Sequence, residues 1–186
     1  MTRKYTDVTF TDSVKATQEH YGTRANAARV EQWDVDDEHL TEREIEFLAE
    51  RDGFYMASVG EAGWPYVQFR GGPKGFLKVL DPSTLGYADF RGNQQYISMG
   101  NVRADERVSL FFMDYANRQR MKLLARTEVF DAAKRPDLVQ TLRDPSYRGL
   151  VERVVLLHVV AFDWNCPQHI TPRFTEAEFA ARSASS

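Results

Sequence analysis

The stretch from Gly63 to Phe112 limits the choice of fold more than any other part of this chain. It alternates apolar and polar residues with the period of a strand. It is also cut at short intervals by Gly71-Gly72-Pro73, Asp81-Pro82-Ser83 and Gly92. Glycine and proline set backbone angles that strands and helices do not tolerate, so such a stretch folds back on itself as antiparallel strands. The same pattern predicts strands over 54–59, 64–69, 75–80, 84–90, 108–113, 120–130 and 154–164. The four residues 60–63 turn the first pair into a hairpin. Short strands with few long helices imply a mainly β fold with α additions, an antiparallel barrel of about six strands whose rim loops are free to hold a ligand.

Helix signals are fewer. Thr41 and Glu44 have the spacing of a capping box, with Ile45, Leu48 and Ala49 as one apolar stripe and Gly53 as the stop. Thr175 and Glu178 repeat that spacing ahead of a short helix to Arg182. Further helices are predicted over 13–21, 93–103 and 134–143, the last with Pro136 in its first turn. The chain then divides into a polar, irregular extension with one short helix at 1–40, a barrel domain at 41–174, and a short helix with a frayed tail at 175–186.

Composition excludes several classes. One domain with terminal extensions fits 186 residues, and 42% hydrophobic with 12% aromatic content supports a packed core. A formal charge of −3 provides no overall basic field for nucleic acid. Cys166 is the single cysteine, so no internal disulfide forms, and a reducing cytoplasm is the expected compartment. No run approaches the length of a membrane span, and the first ten residues lack the apolar core of a signal peptide. The segment VERVVLLHVVAF is interrupted by Arg153 and His158 and reads as a buried strand.

The candidate ligand site gathers cations and neutral donors. Arg70, Lys74, Lys78 and Arg91 stand among the turns, next to a donor-rich segment with Asn93, Gln95, Tyr96 and Ser98. Arginine offers a fork of donors that matches a phosphate, and the start of a helix adds free N–H groups. The same cations also suit a solvated strand edge, and Asn93 suits a plain helix cap. Cys166 and His169 form only half of a zinc set, so no metal site is assigned. No catalytic triad or dinucleotide fingerprint stands out, and no catalytic residue is assigned.

Four stretches carry a resemblance: QFRGGPKGFLKVLD, then TLGYADFRGNQQYISMGNVRADERVSLFF and NRQRMKLLARTEV, with DWNCPQHITPRF following late in the chain. Over most of 54–174 the chain resembles the pyridoxamine 5'-phosphate oxidase-like proteins, the FMN-binding split barrels. That resemblance implies a six-stranded antiparallel split β-barrel of FMN-binding type. It implies FMN as cofactor, a small-molecule redox substrate, and a homodimer with the cofactor at the subunit interface. Arg70 and Lys78 match the family's phosphate-holding basic residues, with a longer spacing because Gly71-Gly72-Pro73 intervenes. Arg118, Gln119 and Arg120 correspond to a segment that contacts the flavin. Trp164, Asn165 and His169 fall where a segment closes over the partner's flavin. The family's C-terminal basic motif for pyridoxal phosphate is replaced here by NCPQHITPRF. The implied activity is FMN-dependent oxidoreduction with an unassigned substrate. A flavin carrier or sensor without turnover, and a barrel that takes haem or a deazaflavin, are the alternatives.

Overall fold

The computed structural model describes residues 4–184. Seven strands form one antiparallel sheet: β1 (Gly53–Val59), β2 (Pro65–Gly71), β3 (Lys78–Asp81), β4 (Thr84–Phe90), β5 (Arg107–Asp114), β6 (Gln119–Asp131) and β7 (Val151–Trp164). Their order is β2-β1-β5-β6-β7-β4-β3. All seven segments expected to be strands are found, in one seven-stranded sheet where a six-stranded split barrel was expected. No hydrogen-bonded pairing joins the edge strands β2 and β3 among the described residues.

The sheet nonetheless curls, because most of one face is apolar. Phe54 and Met56 of β1 share the interior with Leu85 and Tyr87 of β4 and with Val155 and Leu157 of β7. Phe54 is the hub. Its ring stacks parallel to Phe76 at 5.7 Å and meets Tyr87 edge-on at 5.6 Å. These contacts cross the seam that the hydrogen-bond ladder leaves open. Rings in such arrangements gain specific attraction beyond their buried area. The outer face of β4 is covered too, since Ala88, Val154 and Leu142 form a second small core.

Local chemistry explains the elements that matched and those that did not. The β1–β2 hairpin pairs Gly53 with Gly71 and Val59 with Pro65. Its turn is closed by Gly63 N–H to the Gly60 carbonyl at 2.8 Å, with Gly63 at φ +81°. β3 begins later than expected. The residues before it form a turn, Phe76 N–H to the Pro73 carbonyl at 2.9 Å, and this turn drops Phe76 and Leu77 into the core. α4 (Glu42–Ala49) carries the predicted capping box. The second predicted box, Thr175 with Glu178, begins α7 (Glu176–Ala184). α6 (Pro136–Leu142) starts on its proline.

The extension is not irregular. It holds α1 (Tyr5–Thr9), α2 (Asp12–His20), which is the helix expected over 13–21, and α3 (Arg24–Glu31). None of the three buries a residue completely, which is why no apolar stripe announced α1 and α3. They are tied down by polar contacts, such as Tyr5 N–H to Asp37 at 2.7 Å and Lys4 Nζ to the Glu31 carbonyl at 2.8 Å. Of the tail expected to fray, Ser183 and Ala184 continue α7, and residues 185–186 lie outside the described residues. Among the described residues no helix is long and apolar enough to cross a membrane.

Candidate functional site

β2 is an edge strand with two very different rows of side chains. Val67 and Phe69 point outward and are exposed. Tyr66, Gln68 and Arg70 alternate with them and lie opposite Ser58, Met56 and Phe54 of β1, on the face that holds the core. That inner row is polar because the seam, not more core, lies beyond it. Across the seam the chain leaves β4 at Phe90 and enters α5 (Ile97–Ala104). Between these two walls lies a cavity of about 190 Å³ lined by Tyr66, Gln68, Arg70, Asn93–Met99 and Arg153.

A buried ion triad closes one side of it. Asp89, 3% exposed at the inner end of β4, accepts from Arg70 Nη1 at 2.9 Å. It also accepts from Arg153 Nε at 2.9 Å and pairs with Arg153 Nη2 at 2.8 Å. Arg153 lies opposite Asp89 in the β4–β7 register, so that half of the triad is fixed by strand pairing. Arg70 reaches it from a strand that is not a neighbour of β4. Arg153 continues outward, with Nη1 2.8 Å from Glu152 and its guanidinium 5.0 Å over the Tyr96 ring. Burial works against the charged form of Arg153, but the hydrogen bond and charge of Asp89, with Glu152, raise its pKa.

Arg70 is left incomplete. Among the described residues only Nη1 has a partner, and Nε is buried without one. A buried donor without a partner costs free energy comparable to a lost hydrogen bond, so such an atom signals a missing partner. The Nε–Nη2 edge of a guanidinium is a two-donor fork suited to two oxygens of one phosphate or carboxylate.

The opposite wall is built under strain. Gln94 and Tyr96 have φ of 60° and 54°, a left-handed conformation that L residues with a side chain rarely adopt. Each such residue costs roughly 1 kcal/mol. The segment is pinned by Tyr96 Oη donating to Glu152 Oε1 at 2.9 Å, and Arg91 Nε lies 3.5 Å from that oxygen. The Tyr96 hydrogen bond, followed by Arg153 and Arg91 against a partial burial penalty, holds the Glu152 carboxyl below the usual range. Asn93 caps a turn, accepting from Gln95 N–H at 3.2 Å, and not the helix as the spacing suggested. The N-cap of α5 is Tyr96, with no side-chain cap, and the first turn Ile97–Met99 lines the cavity.

The expected residues therefore fall into two sets. Arg70, Asn93, Gln95, Tyr96 and Ser98 come together around the cavity. Of the other cations named from the sequence, Arg91 meets this wall through Glu152, while Lys74 and Lys78 do not line the cavity. Lys74 pairs with Glu50. Lys78, in β3, lies near Asp144, whose carboxyl is lowered first by hydrogen bonds from Ser146 and then by Lys78. Arg118 (φ 55°) and Gln119 form the exposed end of the β5–β6 hairpin. Trp164 lies at the far end of β7 from Arg153, where its Nε1 donates to Glu44 at 2.6 Å and Arg43 covers its ring at 4.3 Å. His169 is exposed with φ 63°, and Cys166 is exposed and free. Tyr66, Gln68 and Arg153 are among the cavity residues that were missed. Tyr66 and Gln68 were signalled by the period of two leading to Arg70, and Arg153 was hidden in an apolar run.

Comparison with known proteins agrees with this architecture. The chain is similar to the crystal structure of a candidate pyridoxamine 5'-phosphate oxidase from Lactobacillus delbrueckii, with a TM-score of 0.52 at 25% identity, over 69% of this chain and 97% of that one. HupZ of Group A Streptococcus matches with a TM-score of 0.50 at 18% identity, over 73% and 100%. An FMN-binding protein from Syntrophomonas wolfei matches with a TM-score of 0.50 at 10% identity, over 80% and 97%. These last two likenesses are of fold alone. No curated protein matches the chain. A family model described as pyridoxamine 5'-phosphate oxidase matches residues 40–156, more than half of the sequence. The chain belongs to the pyridoxamine 5'-phosphate oxidase family.

Proposed function

We propose that the chain is an FMN-dependent oxidoreductase acting on a small-molecule redox substrate in the cytoplasm, as a split-barrel homodimer. The observation that carries this reading is the unpartnered Nε–Nη2 edge of Arg70 beside a cavity lined with neutral donors. Gln68, Asn93, Gln95, Tyr96 and Ser98 present amides and hydroxyls suited to a polyol, and Arg70 presents the fork suited to its phosphate. The uncapped first turn of α5 adds N–H groups of the same polarity. Family membership and the name of one fold neighbour, an FMN-binding protein, support the same cofactor.

Size supports the dimer. Pockets for drug-sized ligands run to about 300–1,000 Å³, and this cavity has about 190 Å³. It takes the phosphate and polyol of a flavin nucleotide, and the ring system lies beyond the rim. A second subunit would cover it there. Val67 and Phe69, exposed on the unpaired edge strand, with Tyr55 of β1 paired beside Phe69, provide an apolar surface for that subunit. In such a dimer Arg118, Gln119, Trp164 and His169, remote from the cavity of their own chain, belong to the contacts offered from other parts of the assembly. Lys78 stays in the proposal as a long-range contributor to the field at the phosphate.

A bound flavin would supply the electron and hydride chemistry. The chain's own part is to bind, orient and exclude water. Arg70 fixes the phosphate end, and Tyr96, held by Glu152 and Arg153, forms one wall. The test is the visible spectrum of the purified protein after reconstitution with FMN, followed by NAD(P)H turnover. A stoichiometric flavin spectrum with turnover is expected. A flavin spectrum without turnover under a panel of reductants would make the chain a carrier, and the absence of flavin binding would end the proposal.

A further inference from the structure

We infer that Asp89 is the positioning residue of this site, the buried carboxylate that holds Arg70 across the open seam, at the cavity wall, with its Nε–Nη2 edge left unpaired. The inference rests on the reading of that cavity as the phosphate site. Its own support is topological. β2 and β4 are joined by no backbone hydrogen bond, and along the sheet they are separated by β1, β5, β6 and β7. Register therefore cannot place Arg70 relative to the 92–98 wall. The Arg70–Asp89 pair at 2.9 Å does so directly.

Asp89 is itself held. Its other oxygen is taken by Arg153 Nε and Nη2, its residue is buried, and its strand position is locked opposite Arg153. Arg153 then lies against Tyr96 and Glu152. One connected chain, Arg70–Asp89–Arg153–Tyr96, spans both walls. A carboxylate close to a phosphate site lowers anion affinity by simple electrostatics. Its presence between two arginines makes sense as geometry: a guanidinium already fixed in place gives up little rotamer freedom when its ligand arrives. Asp89 also occupies the Nη1 position and leaves only the side edge of Arg70 free, which selects a bidentate oxygen ligand.

The experiment uses the full chain and measures dissociation constants for FMN and for riboflavin, which lacks the phosphate, by flavin fluorescence. Their ratio isolates the phosphate contribution, which a general loss of structure would not change selectively. Variants are Asp89→Asn, which removes the charge, Asp89→Glu, which keeps the charge but shifts it by one methylene, and Arg70→Gln. The expected result is a fall of about tenfold in the FMN preference for both Asp89 variants, with riboflavin affinity within twofold of wild type. Adding Asp89→Asn to Arg70→Gln should cause no further fall. A preference unchanged or raised in Asp89→Asn, or unchanged in Asp89→Glu, overturns the inference. If the Asn variant does not fold, the Glu variant decides alone. Arg70→Gln separates the two claims. If it removes the preference and the Asp89 variants do not, only the positioning role fails. If it leaves the preference intact, the phosphate reading fails and the inference with it.

Discussion

Arg51 and Arg70 are both largely buried, both pair with a buried aspartate, and both help tie a strand end to its surroundings. Arg51 has every nitrogen engaged: Nε on the Phe47 carbonyl at 3.1 Å, Nη1 on the Met113 carbonyl at 3.2 Å, and Nη2 3.1 Å from Asp114. Asp114 in turn accepts from the Asn117 backbone and side chain, each at 2.9 Å. Arg70 has one nitrogen engaged and one buried without a partner. The same contrast extends to the aromatic residues nearby. Trp164 has its Nε1 on Glu44 and its ring under Arg43, whereas Tyr96 sits in a strained turn at a cavity mouth. Residue type does not separate these two arginines, whereas completeness of hydrogen bonding does.

The contrast is sharpened by perturbing each side. The largest effect is expected at the closed end. Arg51→Met leaves Asp114 buried without its counter-charge and should destabilise the fold by about 3–5 kcal/mol in urea unfolding. Its FMN preference over riboflavin should not change. The next largest is Arg70→Gln. It should weaken FMN about 10–100-fold in a binding titration, the range of a lost charge-assisted contact, with a smaller loss of stability because Asp89 keeps Arg153. Swapped outcomes, with Arg51 governing affinity and Arg70 governing stability, would break the comparison.

A third effect concerns pH. Glu44 is 3% exposed and accepts from Thr41 and Trp164. Burial pushes its pKa up, but those hydrogen bonds outweigh burial and the carboxyl stays below its usual range. A carboxyl depressed in the folded state contributes fully above its unfolded pKa of about 4.3, and the contribution is lost as pH falls through the folded value. Glu44→Gln should therefore cost about 1–3 kcal/mol at pH 7. It should also give a flatter acid limb below about pH 4.3 in stability measured against pH. The smallest effect is expected for Lys78→Ala. Because Lys78 stands by Asp144 and not along the cavity, FMN affinity should change less than about threefold.

Much of the sheet was legible because its signals are local. Gly60 to Gly63, Pro73 and Pro82 fix turns through backbone angles, and alternation between them assigns faces. The helices of the extension were less legible because their stability comes from caps and polar ties that leave no apolar period. Half of the site shared this locality. Arg70 and the segment from Asn93 to Ser98 stand out as donors near a turn. The rest depends on register. Asp89 and Arg153 become partners only once β4 is laid against β7, and Arg70 joins them only once the sheet has curled. The resemblance matched Lys78 as well as Arg70 to a phosphate-holding residue. The turn that buries Phe76 separates them.

The most direct measurement is the structure of the complex with FMN. The account predicts two phosphate oxygens within hydrogen-bonding distance of Arg70 Nε and Nη2, with Asp89 still on Nη1. A phosphate bound elsewhere, with that edge of Arg70 satisfied by water or protein alone, would contradict it.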